Sequence, residues 1–390
     1  MLFAGLTISA LLCLASALPA VQLSGHAGRV EGEYIIVLKA PNADAAIYVS
    51  NTVSKLSGVV SGMSLINSFA ALKSPTLHIR APSEAAVRQA YSLPEVVVVE
   101  ANVRTKMTMQ CQSQNTVDLE LWSLSRMSNS STEYFYDAQG GNGVRVYVLD
   151  TGIRLTHNDF GGRATFGENT LGGNNLDIDG HGTNCAGLIM GSTFGVSKAA
   201  MTVAVKCLDD GGAGTQASVI AGIDFVVGDT GSGPKVINMA LSMEASFALD
   251  TAVSSAVAAG ITVVAPSGNY NEDACLRSPG RSTDVITVGS TNSNDNLEWY
   301  ASFGPCIDFL APGYLIYTSG NENDDDIAWK SGTSMACSYA AGAAANYLSA
   351  NPDASPAEVK DYLISRAAKN EINLREGEFT PNLLLQQSCP

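Results

Sequence analysis

The sequence predicts an α/β domain, a parallel β-sheet flanked by helices, preceded by a small α+β unit. Three observations predict it. Beyond Gly143, short runs rich in β-branched residues alternate with longer helical stretches. Several of those runs are apolar throughout, as strands covered on both faces are. Ahead of them, Glu33 to Val103 carries strand and helix signals of its own, set off by a polar stretch.

In that first unit "EYIIVLKA" and "EVVVVEANV" read as strands, with "NADAAIYVSNTVSKL" and "SEAAVRQAYSL" as helices between them. The second helix opens on Ser83 in capping-box position, although the residue three further on, Ala86, lacks the acid. "RTKMTMQCQSQNT", at 104–116, is polar and reads as a linker. After it come the strands "VRVYVLD", "TVAVKCL", "KVINMAL", "GITVVAPSG" and "DVITVGS". "ASVIAGIDFVVGD", "ALDTAVSSAVAAG" and "SPAEVKDYLISRAA" read as helices between or after them. The uncharged run from Met335 to Leu348 is too short for a membrane span and reads as a buried helix. The acidic cluster Asp324 to Asp326 reads as a solvated loop.

Composition bounds the function. With 390 residues, 46% hydrophobic and 15% charged, the chain folds around a large core. A formal charge of −15 argues against nucleic acid and anionic membrane surfaces as partners. Residues 1–20 are apolar and uncharged, and "ASA" ending at Ala17 has the small-residue spacing of signal cleavage, here at about 17–20, without the usual basic start. They predict secretion and no membrane association after processing. Of eight cysteines, Cys13 would leave with the signal, so an odd number remains. Cys111 and Cys389 could tie the two ends of the large domain, and Cys275 and Cys306 could pair. The connectivity stays open.

The chemistry centres on "SGTSMACSYAAG", residues 331–342, which places Ser334 among small residues at the start of a helix. A serine nucleophile needs a base, and only His157 and His181 lie beyond the linker. A lone histidine is more often a satisfied structural residue than a catalyst. Asp150 changes that weighting, because it ends the strand "VRVYVLD", at the edge where sites form in such sheets. Asp150, His181 and Ser334 then follow the order acid, base, nucleophile, each in a glycine-rich turn. Asn269, just after a strand, could donate its amide to an oxyanion, with the backbone N–H of Ser334 as a second donor. Only two histidines beyond the linker and no HExxH pattern argue against a catalytic metal.

These motifs resemble those of the subtilisin-like serine proteases, most closely the fungal-type secreted alkaline proteases of the proteinase K branch. The resemblance rests on "VYVLDTGI", "DGHGTNCAG", "LDDGGAG", "SGNYN" and "SGTSMA" and covers Trp122 to the last helix. It implies that Asp150 orients the base His181, that Ser334 attacks, and that Asn269 stabilises the oxyanion. It also implies a signal peptide at 1–20, an inhibitory propeptide at 21–109 and a peptidase domain at 110–390. The cut would fall near Met109–Gln110. Residues 21–109 hold eight basic and six acidic side chains, so their removal leaves a more acidic enzyme.

The same resemblance implies a monomer acting on polypeptide substrates, with its own propeptide as an intramolecular inhibitor. Substrate would lie between Gly212, Ala213 and Gly214 on one side and Ala240, Leu241 and Ser242 on the other. The family has glycines where this chain has Ser242 and Met243, and "APSG" at 265–268 replaces an alanine-rich pocket wall, which implies unusual specificity. Cys337, Ser338 and Tyr339 replace a Thr/Ser-Pro-His sequence after the nucleophile, and Asn184 replaces a second histidine. Cys185 matches a free cysteine beside the base. A structural calcium ion is implied on the carbonyls of Thr283 and Val285 and the carboxylate of Asp308. Asn129-Ser130-Ser131 is a glycosylation sequon. The altered motifs leave one rival reading, a catalytically impaired homologue that binds peptides or inhibitors without turnover.

Overall fold

In the computed structural model, which describes residues 29–41, 44–103, 111–117, 121–387 and 389, alternating burial sets up the first unit. The expected leader at 1–20 and the expected cut at Met109–Gln110 lie outside those residues. In β1 (Arg29–Leu38) Tyr34, Ile36 and Leu38 are buried on one face. They pack with Val49 and Leu56 of α1 (Ala45–Val59), whose start is capped by Asp44 accepting from Ala46 N and Ile47 N. β2 (Ser64–Phe69), β3 (Thr76–Arg80), α2 (Glu84–Arg88) and β4 (Val96–Val103) complete the unit. Its sheet runs β2-β3-β1-β4, with every neighbouring pair antiparallel. Ser83 does cap α2, accepting from Ala86 N at 3.2 Å.

The sequence reading misses β2 and β3. β2 is exposed at every residue, so it carries no period-two pattern, and β3 is five residues long. Glu33 joins three of the strands, accepting from Arg80 and Asn102 at 3.0 Å each and lying 2.8 Å from His78 Nε2. Arg80 foremost, then Asn102 and His78, hold its carboxyl down at a pKa of about 2.

The second unit starts inside the expected linker. Cys111–Asn115 is a strand, β5, and α3 (Trp122–Met127) leads to its antiparallel partner β6 (Glu133–Asp137). Its side chains are mostly exposed, so backbone pairing holds it and hydropathy does not reveal it. β7 (Arg145–Asp150), β8 (Ala164–Asn169), α4 (His181–Met190), β9 (Met201–Lys206), α5 (Gln216–Gly228) and β10 (Lys235–Asn238) follow. Next come β11 (Met243–Glu244), α6 (Phe247–Ala258), β12 (Thr262–Pro266), β13 (Arg277–Ser278), β14 (Ile286–Thr291) and β15 (Phe309–Pro312). The hairpin β16 (Ile316–Ser319) and β17 (Ile327–Lys330) precedes α7 (Thr333–Ala350), α8 (Pro356–Arg366), β18 (Ala368–Lys369) and β19 (Leu383–Leu384).

Nine of these strands make one sheet in the order β18-β19-β15-β14-β12-β10-β7-β9-β8. Its pairs are parallel except for β18 against β19. Both faces are covered, as the apolar strands predict. Val146 and Val148 of β7 face α4 and α7, while Tyr147 and Leu149 face α5 and α6. The run from Met335 to Leu348 is indeed a buried helix: α7 is buried from Thr333 through Ala345. Its alanines and Gly342 let it lie close to the sheet and to α4, where a Cβ on Gly342 would meet Ile189 O at 3.0 Å. No helix among the described residues is long and apolar enough to cross a membrane.

Candidate active site

The site forms beyond the carboxyl ends of β7, β10 and β12, where parallel sheets of this kind collect functional groups. Asp150 is the last residue of β7 and is wholly buried. His181 is the first residue of α4, after Gly180 in left-handed conformation (φ 93°). Both Asp150 carboxylate oxygens lie 2.9 Å from His181 Nδ1, and Oδ1 also accepts from Thr151 N at 2.7 Å. Burial would lower the imidazole's pKa, but the Asp150 charge outweighs it and holds the pKa well above the usual histidine range.

Asp177, which the sequence reading passes over, organises this pair. It is buried and accepts from Thr151 Oγ1 and Gly180 N at 2.8 Å and from Thr183 N at 2.9 Å. It thereby ties the turn after Asp150 to the start of the His181 helix. The signal was present in "DIDGHGT", four residues before His181, but nothing in the sequence tells an orienting carboxylate from a turn residue. His157 is not at the site. Its Nδ1 accepts from Asp159 N at 3.1 Å and its Nε2 donates to Asp326 O at 2.8 Å, with the ring against Phe160. The acidic cluster is not simply solvated either. Asp324 binds Arg154 at 2.7 Å and Thr156 at 2.6 Å, and Asp325 accepts from Asn158 at 2.7 Å.

Ser334 lies in the first turn of α7 and faces the same cavity as His181. Its hydroxyl donates to Ala240 O at 3.0 Å, two residues beyond β10. Asn269 Oδ1 accepts from Thr333 N and Thr333 Oγ1, both at 2.9 Å. With its oxygen so held, the amide nitrogen is the part of Asn269 free to serve the cavity. Cys337, Ser338 and Tyr339, further along this helix, turn out to be packing residues with satisfied polar atoms. Cys337 Sγ donates to Asn238 Oδ1 at 3.2 Å, Ser338 Oγ donates to Ser334 O at 2.9 Å, and Tyr339 OH meets Ser123 Oγ at 2.7 Å. Asn184 donates to Ser319 O at 2.8 Å and knits α4 to β16, while its own side-chain oxygen is buried without a partner. Cys185, 3.9 Å from His181 Nδ1, is buried, and burial raises its pKa, which keeps it a thiol.

The cavity, about 520 Å³, is lined by both expected substrate segments. Gly212, Ala213 and Gly214 form one wall, in a turn preset by Asp209 Oδ1 accepting from Gly211 N at 2.9 Å and Ala213 N at 3.0 Å. Ala240, Leu241 and Ser242 form the other, continued by Met243 in β11, which pairs with β13. Tyr270 also lines it, a residue the sequence reading missed. The Arg277 guanidinium lies 4.0 Å from its ring centroid, and Arg277 is itself paired with Glu272.

The expected calcium ligands do converge, but on a side chain. Lys360 Nζ donates to Val285 O at 2.8 Å, Thr283 O at 3.1 Å and Asp308 Oδ2 at 2.8 Å. An ion held by those oxygens at about 2.3–2.6 Å would overlap the ammonium. As arranged, the oxygens of Thr283, Val285 and Asp308 are taken up by Lys360 and do not fit a calcium ion. No local motif signals it, because Lys360 lies far along the chain, in α8. Cys275 and Cys306 form a disulfide, one of the two pairings left open. Cys111 and Cys389 are reduced neighbours, and burial followed by the Cys111 thiol pushes the pKa of Cys389 up to about 12.

Residues 141–379 match the Subtilase family, Peptidase S8. The chain is similar to an extracellular serine proteinase of Thermus sp. strain Rt41A, at 42% identity over 75% of this chain and 70% of the relative. It is similar to a cuticle-degrading serine protease of Arthrobotrys oligospora, at 35% identity over 90% of both chains. Among solved structures it is similar to a cold adapted subtilisin-like serine proteinase. That likeness has 39% identity and a TM-score of 0.65, and covers 69% of this chain and 98% of the other.

Proposed function

The chain belongs to the Subtilase family and is a subtilisin-like serine endopeptidase, and from that premise we propose that it is secreted, matured by loss of a propeptide, and driven by Asp150, His181 and Ser334. The observation that carries the reading is the buried Asp150 carboxylate held 2.9 Å from Nδ1 of His181, which lines the same cavity as Ser334. In the reaction, Ser334 Oγ leaves Ala240 O by rotation about one bond, gives its proton to His181 Nε2, and bonds to the carbonyl carbon of the substrate. Asp150 stabilises the imidazolium. Asn269 Nδ2 and the N–H of Ser334, an unpaired donor of the first turn of α7, take the negative oxygen. Collapse breaks the C–N bond as His181 returns the proton to the departing amine. Water, deprotonated by His181, then hydrolyses the acyl-enzyme and restores Ser334.

Residues 21–109 serve as the inhibitory propeptide in this reading, and 110–390 as the monomeric mature enzyme. An extracellular relative supports secretion, and Asn129 of the sequon is exposed. A serine-directed fluorophosphonate tests the proposal. We expect the secreted protein to be labelled at Ser334 and to start near residue 110 by mass spectrometry, and Ser334→Ala to stay unlabelled. A folded, unlabelled protein still carrying residues 21–109 would favour the impaired, peptide-binding alternative.

A further inference from the structure

We propose that Lys360 is a built-in cation that takes the structural role of a metal ion between α8 and the sheet. An ammonium offers three N–H donors and no acceptor. Here three oxygens receive them, at 2.8 to 3.1 Å. The two carbonyls belong to the segment entering β14, and Asp308 stands just before β15, where its Oδ2 also accepts from Thr287 N at 2.8 Å. The oxygen set is thus the kind a hard cation would gather, but one positive charge, covalently attached, fills it.

The helix that carries the lysine is built to hold it there. Ser355 and Glu358 form a reciprocal capping box at the start of α8, with Pro356 in its first turn. Val359 and Leu363 bury the helix's apolar side in the core shared with α7. Lys360, next to Val359, is therefore delivered from a fixed helix, and its side chain is only 21% exposed. A diffusible ion pins two loops wherever it finds oxygens. A lysine also pins the element it grows from, so α8, β14 and β15 are fastened at one point. The inference goes beyond peptide hydrolysis, and its readouts do not depend on turnover.

The test uses the secreted protein, freed of metal by chelator and then titrated with calcium. Calorimetry is expected to give the same number of bound ions for the unmodified protein and for Asp308→Asn. Loss of one ion in Asp308→Asn would overturn the proposal, because Asp308 would then be a calcium ligand. In chelator, Lys360→Met, which keeps most of the stem and removes the charge, is expected to lower Tm by roughly 5–15 °C, since it strands a largely buried carboxylate. An unchanged Tm would show that the ammonium fastens nothing. Lys360→Ala opens the oxygens, so calcium should raise its Tm more than that of the unmodified protein. An equal rise in both would also sink the idea. The Asp308→Asn comparison decides the matter even if the Lys360 variants do not fold.

Discussion

A Cβ added to Gly182 would lie 2.0 Å from the carbonyl oxygen of Gly152 and 3.1 Å from Asp150 Cβ. The helix that begins with His181 thus rests directly on the turn that follows Asp150, with no side chain between them. Neither neighbour is the tip of a flexible group. Gly182→Ala is therefore expected to push His181 away from Asp150, costing about 1–3 kcal/mol of stability and most of the activity. Thermal unfolding and kcat measured on the same preparation check this, and a variant with normal kcat would show that the contact tolerates a methyl group.

The pH profile should carry the mark of Asp150. A general base must be neutral, so kcat/KM rises with pH through the pKa of His181. That pKa is held above the unperturbed value of about 6.5, so the rising limb should fall on its alkaline side. Stability runs the other way. The charged pair stabilises the fold fully below the unfolded pKa, and that contribution is lost as pH rises through the folded one. Asp150→Asn should move the limb to lower pH and reduce kcat by roughly 10⁴-fold. A limb that stays in place would mean that another group sets it.

Asn269→Ala is expected to lower kcat by about 10²–10³ with little change in KM, the loss found when a subtilisin's equivalent donor is removed. A rise in KM alone would recast Asn269 as a substrate-binding residue. Since Asn269 Oδ1 also holds Thr333, circular dichroism should accompany the kinetics to separate lost chemistry from a shifted α7.

Met243 and Tyr270 line the cavity where smaller residues would leave it open. Met243→Gly should raise kcat/KM for peptides with a large residue before the cut bond, relative to alanine there, by about 10-fold. Tyr270→Ala should broaden selectivity further, because Arg277 fixes the ring in place. Profiling both variants on a peptide library checks this. An unaltered order of preference would place specificity elsewhere in the groove.

In an oxidising medium Cys111 and Cys389 are expected to join. Non-reducing peptide mapping should find their peptides linked, alongside the Cys275–Cys306 pair. Finding both as free thiols in the secreted protein would leave the two ends unconnected.

Much of this was legible because it is periodic or local. The apolar strand runs forecast a sheet covered on both faces, and short motifs marked Asp150, His181, Ser334 and Asn269. What escaped was long-range or carried by the backbone. β5 is held by pairing rather than by hydropathy, and β2 has no buried face to betray it. Asp177 looked like any turn aspartate. Tyr339 looked like a flaw after the nucleophile, until Ser123, from a helix far earlier in the chain, supplied its hydrogen bond. Lys360 reaches Thr283, Val285 and Asp308 through contacts that no local motif encodes.

The central helix α7 packs against β7, β10, β12, β14 and β15, and it follows all of them in the chain. During synthesis on the ribosome, those strands emerge before the helix that covers much of one face. Asp150 and His181 emerge long before Ser334. The nascent chain therefore carries an acid and a base but no nucleophile until most of the protein has been made. A chain that stalls before Gly332 therefore lacks Ser334, and with it the nucleophile of the proposed mechanism.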